Sequence, residues 1–298
     1  MSSLIEQAAQ RLEQLRQAGV VLPDIDTPVF APTPAPTASR PVAPTEPLEP
    51  ATQSRRVDLN LDAIAAAGIV TPTAPRSTVA DQFRVIKRPL IANAVGKGAT
   101  TLTHGNLIMV TSAMAGEGKS FTSVNLAMSI VAELDHTVML VDADVARPSI
   151  LRMLGLPPGP GLLDVLEGKA ELSDALLRTN IDKLTILPSG TPHPRATELL
   201  ASEAMSKLLD DMATRYPDRI IIFDSPPLLL TTESRVLASH MGQIVVVVAA
   251  GRTLQAAVQQ ALDTIEACPV RLLVLNKARM DSKAYGYGYG YGLSLIHI

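Results

Sequence analysis

Cysteine is nearly missing from this sequence. Cys268 stands alone among 298 residues, which excludes an internal disulfide framework, and its neighbours Ala267 and Pro269 supply no metal-ligand cluster. Long apolar runs are missing too. The longest purely apolar stretch, Ile244 to Ala250, falls far short of the roughly 20 residues that cross a bilayer, and the first residues lack the apolar centre of a secretory signal. Nor is there a surplus of basic charge. With 26 Lys+Arg against 29 Asp+Glu and a formal net charge of -3, the chain lacks the electrostatic footprint of a nucleic-acid binder, and no nucleic-acid partner is expected. These absences predict a cytoplasmic chain in which Cys268 is structural.

What is present divides into segments. Leu4, Ala8, Leu12 and Leu15 fall on one helical face, with Glu6, Arg11, Glu13 and Arg16 elsewhere and Gly19 as a stop. Residues 1–21 are therefore expected to form an amphipathic helix. Its balanced charges disfavour an anionic-membrane anchor, leaving a partner-docking helix or one packed on its own domain. Residues 22–56 are dominated by Pro, Ala and Thr, a composition that buries no core and reads as a tether. VDLNLDAIAAAGIVTP follows, with weak periodicity and no assigned function.

Beyond Thr100 the pattern becomes strand–helix alternation: LIMVTSA, FTSVNLAMSIVAEL, TVMLVDAD, LTILPSG, ELLASEAMSKLLDDMATRY, RIIIFDSPP, QIVVVVAAG, LQAAVQQALDTIEA and RLLVLNK. Near-continuous Ile/Val/Leu strands separated by helices predict an α/β fold, a doubly wound and mostly parallel sheet flanked by helices, within a domain spanning 57–284. Such sheets bind ligands at the carboxyl ends of their strands.

One of those ends carries AMAGEGKS, Ala113 to Ser120, the phosphate-loop pattern GxxxxGKS with alanine in the first glycine position. Gly116 and Gly118 let backbone amides turn towards phosphate oxygens, and the following helix presents its positive dipole end. Lys119 is expected to reach the β- and γ-phosphates of ATP, and Ser120 to ligate Mg²⁺. Ala115, Gly116, Glu117, Gly118, Lys119, Ser120 and Phe121 are the candidate nucleotide contacts. Two further strands end in acids, Asp142 and Asp144 on one and Asp224 on the other. A carboxylate at the edge of an apolar sheet is costly unless it meets a cation or donors, and Mg²⁺ on a nucleotide is such a cation. Ser120, Asp142 and Asp224 are the candidate metal ligands. Asp144 also suits a helix N-cap.

TSAMAGEGKS, VDADVARPS and FDSPP, with GLLDVLEG, LTILPSG and ATELL in support, resemble the bacterial tyrosine kinases of exopolysaccharide synthesis over roughly residues 75 to 292. SLIEQAAQRLEQLRQAG and the stretch around AAAGIVTPTAPR are similar to the exosortase-associated tyrosine autokinase branch. The resemblance implies a P-loop NTPase fold. It implies Lys119, Asp142 and Asp144 as catalytic residues, one aspartate taking the tyrosine proton, with Asp224 orienting the metal. Asn276 would read adenine, or else cap a loop. Many relatives carry an arginine where this chain has Ala146, with Arg147 one place later. Partition and septum-positioning ATPases carry a lysine where this chain has Met114. DQFRVIKR places Asp81, Arg84 and Lys87 like the motif by which similar kinases form homo-oligomeric rings, or as a solvated face. The resemblance further implies activation by a separate membrane-embedded polysaccharide co-polymerase, which would recruit the chain to the inner face of the plasma membrane.

Four of the five tyrosines, Tyr285, Tyr287, Tyr289 and Tyr291, lie in YGYGYGYG. Alternating glycine supports neither helix nor core, so 285–298 is expected to be a flexible tail. Alone, such a repeat suits a disordered or self-associating tract; beside a phosphate loop it suits phosphoacceptors. The final LSLIHI breaks the repeat and is given no function. The expected activity is ATP-dependent phosphorylation of the tail. The alternatives are a partition-like ATPase switch without protein kinase activity and a nucleotide-binding scaffold without catalysis.

Overall fold

The computed structural model describes residues 54–72, 77–99, 101–215 and 218–278. The expected N-terminal helix, most of the tether and the tyrosine tail lie outside the described residues.

The first described strand, β1 (Arg55–Val57), begins inside the stretch whose composition suggested tether. Helices α1 (Leu61–Ala66) and α2 (Thr78–Ala94) follow, then β2 (Leu107–Ser112), α3 (Lys119–Val131) and β3 (Thr137–Asp142). Three short helices come next, α4 (Ile150–Met153), α5 (Leu162–Leu166) and α6 (Leu172–Ala175), then β4 (Leu177–Thr179) and β5 (Leu184–Leu187). The remainder is α7 (Ala196–Leu200), α8 (Glu203–Arg215), β6 (Arg219–Asp224), α9 (Glu233–Ala238), β7 (Gln243–Ala249), α10 (Gln255–Asp263) and β8 (Val270–Asn276). The strands form one sheet in the order β1-β4-β5-β3-β6-β2-β7-β8. Every pairing is parallel except β4 with β5.

Alternation along the central strands builds two cores, because successive side chains leave a strand on opposite faces. Leu107, Met109, Met139, Val141, Ile221 and Phe223 meet α5, α7, α8, α9 and α10 on one face. Ile108, Val110, Val138, Leu140, Ile220 and Ile222 meet α1, α2, α3 and α4 on the other. Both faces are covered, so the strands carry unbroken apolar runs.

VDLNLDAIAAAGIVTP, without function in sequence, is part of that second layer. Asn60 accepts from the Ala63 amide to start α1, and Ile64 is buried. Asn125 on α3 receives the Val70 amide at 2.8 Å, pinning the segment to the helix that leaves the phosphate loop. α2 starts at Ser77, whose hydroxyl accepts from the Ala80 amide. On it the expected charged face divides. Asp81 and Arg84 form an exposed pair at 2.5 Å, but Lys87 is buried. Its ammonium donates to the Ser129 carbonyl at 2.5 Å and meets Glu133 at 2.6 Å, capping the end of α3. Hydrogen bonding to Lys87, with its charge, outweighs burial and holds the Glu133 carboxyl below its ordinary value. Lys87 therefore joins α2 to α3 within the chain and does not share the exposed face with Asp81 and Arg84.

Candidate active site

β2, β3, β6, β7 and β8 bring their carboxyl ends to one rim of the sheet. β2 runs out at Ser112, and the chain turns through Gly116 (φ +79°) and Gly118 (φ +103°) before α3 begins at Lys119. The left-handed region is open to glycine at little cost, and Gly118 has a second constraint. A Cβ there would strike the Asn276 amide. Ala115 and Gly116 lie exposed on the loop. Phe121 packs its ring against the core on the α3 side, which leaves its backbone amide as its offering to a ligand.

Glu117 behaves differently from its neighbours. Its carboxylate is buried, 3% exposed, and turned away from the phosphate side. It accepts the Met114 amide at 2.7 Å and the Thr253 hydroxyl, with the Ala249 amide at 3.5 Å. This ties the loop to the end of β7. The clue in the sequence was electrostatic: an acid inside an anion-binding loop has to face elsewhere.

Lys119 donates to Asp144 at 2.5 Å and lies 3.4 Å from the Ser120 hydroxyl. The Asp144 carboxylate also receives the Arg147 amide at 3.2 Å, so it serves the turn after β3 as well as the lysine. The Arg147 side chain is exposed. Asp142, not Asp144, caps the next helix: it accepts the amides of Ser149 and Ile150, each at 2.9 Å. Its partner across the sheet is Asp224, directly opposite in the β3–β6 register. Asp224 accepts from Ser123 at 3.1 Å, a hydroxyl one helical turn beyond Lys119 that sequence reasoning passed over.

The carboxylate pair is under electrostatic load. Burial pushes Asp142 up to about 7, the Ile150 and Ser149 amides pull it down, and the charges of Asp224 and Asp144 raise it further. Burial likewise raises Asp224 to about 6, against the pull of Lys119 and the Ser120 and Ser123 hydroxyls. One oxygen of each, Asp142 Oδ1 and Asp224 Oδ2, is buried without a hydrogen bond. Orphaned carboxylate oxygens beside Lys119 and Ser120 fit a cation carried in with a phosphate ligand. Among the described residues no group of three or more His, Cys, Asp or Glu is placed to hold a metal alone.

Asn276, at the end of β8, donates to the Glu117 carbonyl at 2.9 Å. Lys277 reaches the Gly116 carbonyl at 2.6 Å. At the end of β5 the GLLDVLEG and LPSG blocks meet. The Leu162 and Leu163 amides donate to Pro188 and Ser189, and Asp164 accepts from Gly161 at 2.9 Å and Thr191 at 3.0 Å. Burial alone would raise Asp164, but these hydrogen bonds hold it below its ordinary value. Tyr216 and the four tail tyrosines lie outside the described residues.

A glycine-turned loop opening a helix, a lysine and a serine at its start, and acids ending two adjacent parallel strands define a nucleotide-binding P-loop NTPase. The ParA family, described as NUBPL iron-transfer P-loop NTPase, matches residues 103–276. Tyrosine-protein kinase YwqD of Bacillus subtilis (strain 168) is 31% identical over 205 residues, 69% of this chain and 83% of the relative. Tyrosine-protein kinase CpsD of Streptococcus agalactiae is 33% identical over 187 residues, 61% of this chain and 80% of the relative. The crystal structure of the VpsO kinase domain superposes with a TM-score of 0.58 at 27% identity, covering 68% of this chain and 95% of that one. The chain belongs to the bacterial tyrosine-protein kinases, a branch of the ParA-type P-loop NTPases.

Proposed function

We propose that this chain is an autokinase that transfers the γ-phosphoryl group of ATP to Tyr285, Tyr287, Tyr289 and Tyr291 of its own tail. The observation that carries the reading is the pair of orphaned oxygens on Asp142 and Asp224 beside Lys119 and Ser120, in a chain whose relatives are named tyrosine-protein kinases and whose last tyrosines alternate with glycine.

The amides of the loop from Ala115 to Phe121 bind the phosphates. An incoming polyphosphate gives Lys119 a stronger anionic partner than Asp144, so the lysine moves to phosphate and the aspartate loses its ion pair. Asp142, Asp224 and the Ser120 hydroxyl would hold Mg²⁺, which neutralises charge on the β- and γ-phosphates. The phenolic oxygen of a tail tyrosine attacks the γ-phosphorus, the bond to the bridging oxygen breaks, and ADP leaves. The phenolic proton passes to Asp142 or Asp144. A free phenol ionises near 10, and a carboxylate in place at the moment of transfer lowers that barrier. Asn276, at the rim beside the loop, would contact the adenine.

The wider proposal is a chain organised as an amphipathic helix (1–21), a tether (22–56), the kinase domain (57–284) and an acceptor tail (285–298). It would regulate exopolysaccharide synthesis or export from the cytoplasm, as a homo-oligomeric ring recruited by a membrane-embedded co-polymerase. No helix among the described residues is long and apolar enough to cross a membrane. Purified protein given γ-labelled ATP separates the possibilities. Label bound to protein and lost in Lys119→Met supports the kinase; free phosphate without protein label identifies an ATPase switch; neither product overturns both.

A further inference from the structure

A loop that aims its amides at an anion must send its carbonyls the other way, because C=O and N–H of one trans peptide plane point in opposite directions. No peptide in the described chain is cis. In the phosphate loop two successive outward carbonyls are taken by side chains from the last residue of β8 and the residue after it. Lys277 donates to Gly116 O at 2.6 Å and Asn276 to Glu117 O at 2.9 Å. Those carbonyls share their peptide planes with the amides of Glu117 and Gly118. Among the described residues, neither amide donates to any protein group.

We infer that Asn276 and Lys277 are positioning residues for the phosphate cradle, a clamp that aims the Glu117 and Gly118 amides at the polyphosphate of a bound nucleotide. The inference rests on the nucleotide site described above. Three further observations point the same way. The clamp closes because position 118 has no side chain: a Cβ there would strike the Asn276 amide. Lys277 holds a left-handed backbone, φ +60°, a cost of about 1 kcal/mol for a residue with a side chain, and in return its ammonium reaches the loop. Asn276 Oδ1 accepts the Lys277 amide at 2.8 Å, so the two residues form one unit. A cation on one carbonyl and an amide on the next also polarise the two planes, making their N–H groups better donors. The Glu117 carboxylate holds the other side of the loop on β7, and together these ties keep the cradle formed before the ligand arrives.

Fluorescent ADP, displaced in turn by ADP, inorganic pyrophosphate and adenosine, tests the clamp in the full-length protein. Losing one such hydrogen bond removes about 1 kcal/mol of orientation, roughly fivefold in Kd. Lys277→Ala and Asn276→Ala should each weaken pyrophosphate by roughly that factor; Lys277→Ala should leave adenosine unchanged, whereas Asn276→Ala also loses the adenine contact and should weaken adenosine as well. Lys277→Gly, which relaxes the backbone while removing the ammonium, should weaken pyrophosphate equally without lowering the urea midpoint. Lys277→Arg, which keeps a donor, should recover most of the affinity. Pyrophosphate binding unchanged in all three removal variants overturns the clamp, as does a loss confined to adenosine, which would make Asn276 a base reader only. Equal losses for pyrophosphate and adenosine in the Lys277 variants also overturn it, since they report general damage. Wild-type protein that binds neither ADP nor pyrophosphate overturns the nucleotide site itself, a result distinct from variants that bind as well as wild type.

Discussion

Replacing Asp142 with asparagine should stabilise the nucleotide-free protein above neutral pH while abolishing phosphoryl transfer. Asp142 is 1% exposed, and its carboxyl is pushed from 3.8 up to about 7, chiefly by burial. A carboxyl raised in the folded state favours folding below about pH 4 and loses that contribution as pH climbs through about 7. At about pH 8 the folded protein holds an ionised carboxylate where it titrates near 7 rather than 3.8, a cost of about 4 kcal/mol. At about pH 5 the cost is less than half of that, because the folded group is still protonated. Asparagine keeps an acceptor for the Ser149 and Ile150 amides. It places an NH₂ where Asp142 Oδ1 has no partner, a penalty of about 1–3 kcal/mol that does not change with pH. The stability of Asp142→Asn relative to wild type should therefore improve by about 2–3 kcal/mol between about pH 5 and about pH 8. Urea unfolding in chelator at both pH values measures it. A difference between the two proteins that does not change with pH would refute the reasoning.

Lys87→Glu should cost on the order of 3 kcal/mol in urea unfolding, since it buries a charge against Glu133 and strips a donor from Ser129. Reversing the exposed Asp81–Arg84 pair should change stability by less than about 1 kcal/mol, and a smaller assembly in sedimentation velocity would place that pair in a ring contact; an unchanged mass distribution would make it a solvated face. Mixing a Lys119→Met chain that keeps its tail with an active chain whose four tail tyrosines are phenylalanine should place phosphate on the inactive chain. No label on that chain, where wild type labels itself, would mean transfer within one chain.

The phosphate loop and the terminal acids of β3 and β6 were legible because each is a local exception to a strong rule. Glycine and lysine follow a buried strand, and carboxylates end runs of Ile and Val. The doubly wound sheet was legible for the same reason, in long apolar strands alternating with helices. The helical spacing of Asp81, Arg84 and Lys87 marks a face but not what covers it, so the burial of Lys87 under α3 was not legible. Arg55–Val57 is too short and too basic to declare itself a strand. Its pairing with β4 depends on a partner more than a hundred residues away along the chain. The Glu117, Asn276 and Lys277 side chains take their roles from where β7 and β8 end in space. The same holds for Asp142, whose capping of α4 depends on the path of the loop after β3.

The most direct test of the central claim is a phosphosite map of the purified full-length protein after incubation with MgATP. Digestion and mass spectrometry should find phosphate on Tyr285, Tyr287, Tyr289 and Tyr291, with none in a parallel Lys119→Met sample. ATP consumed with no phosphate on any of the four tyrosines would contradict the autokinase reading.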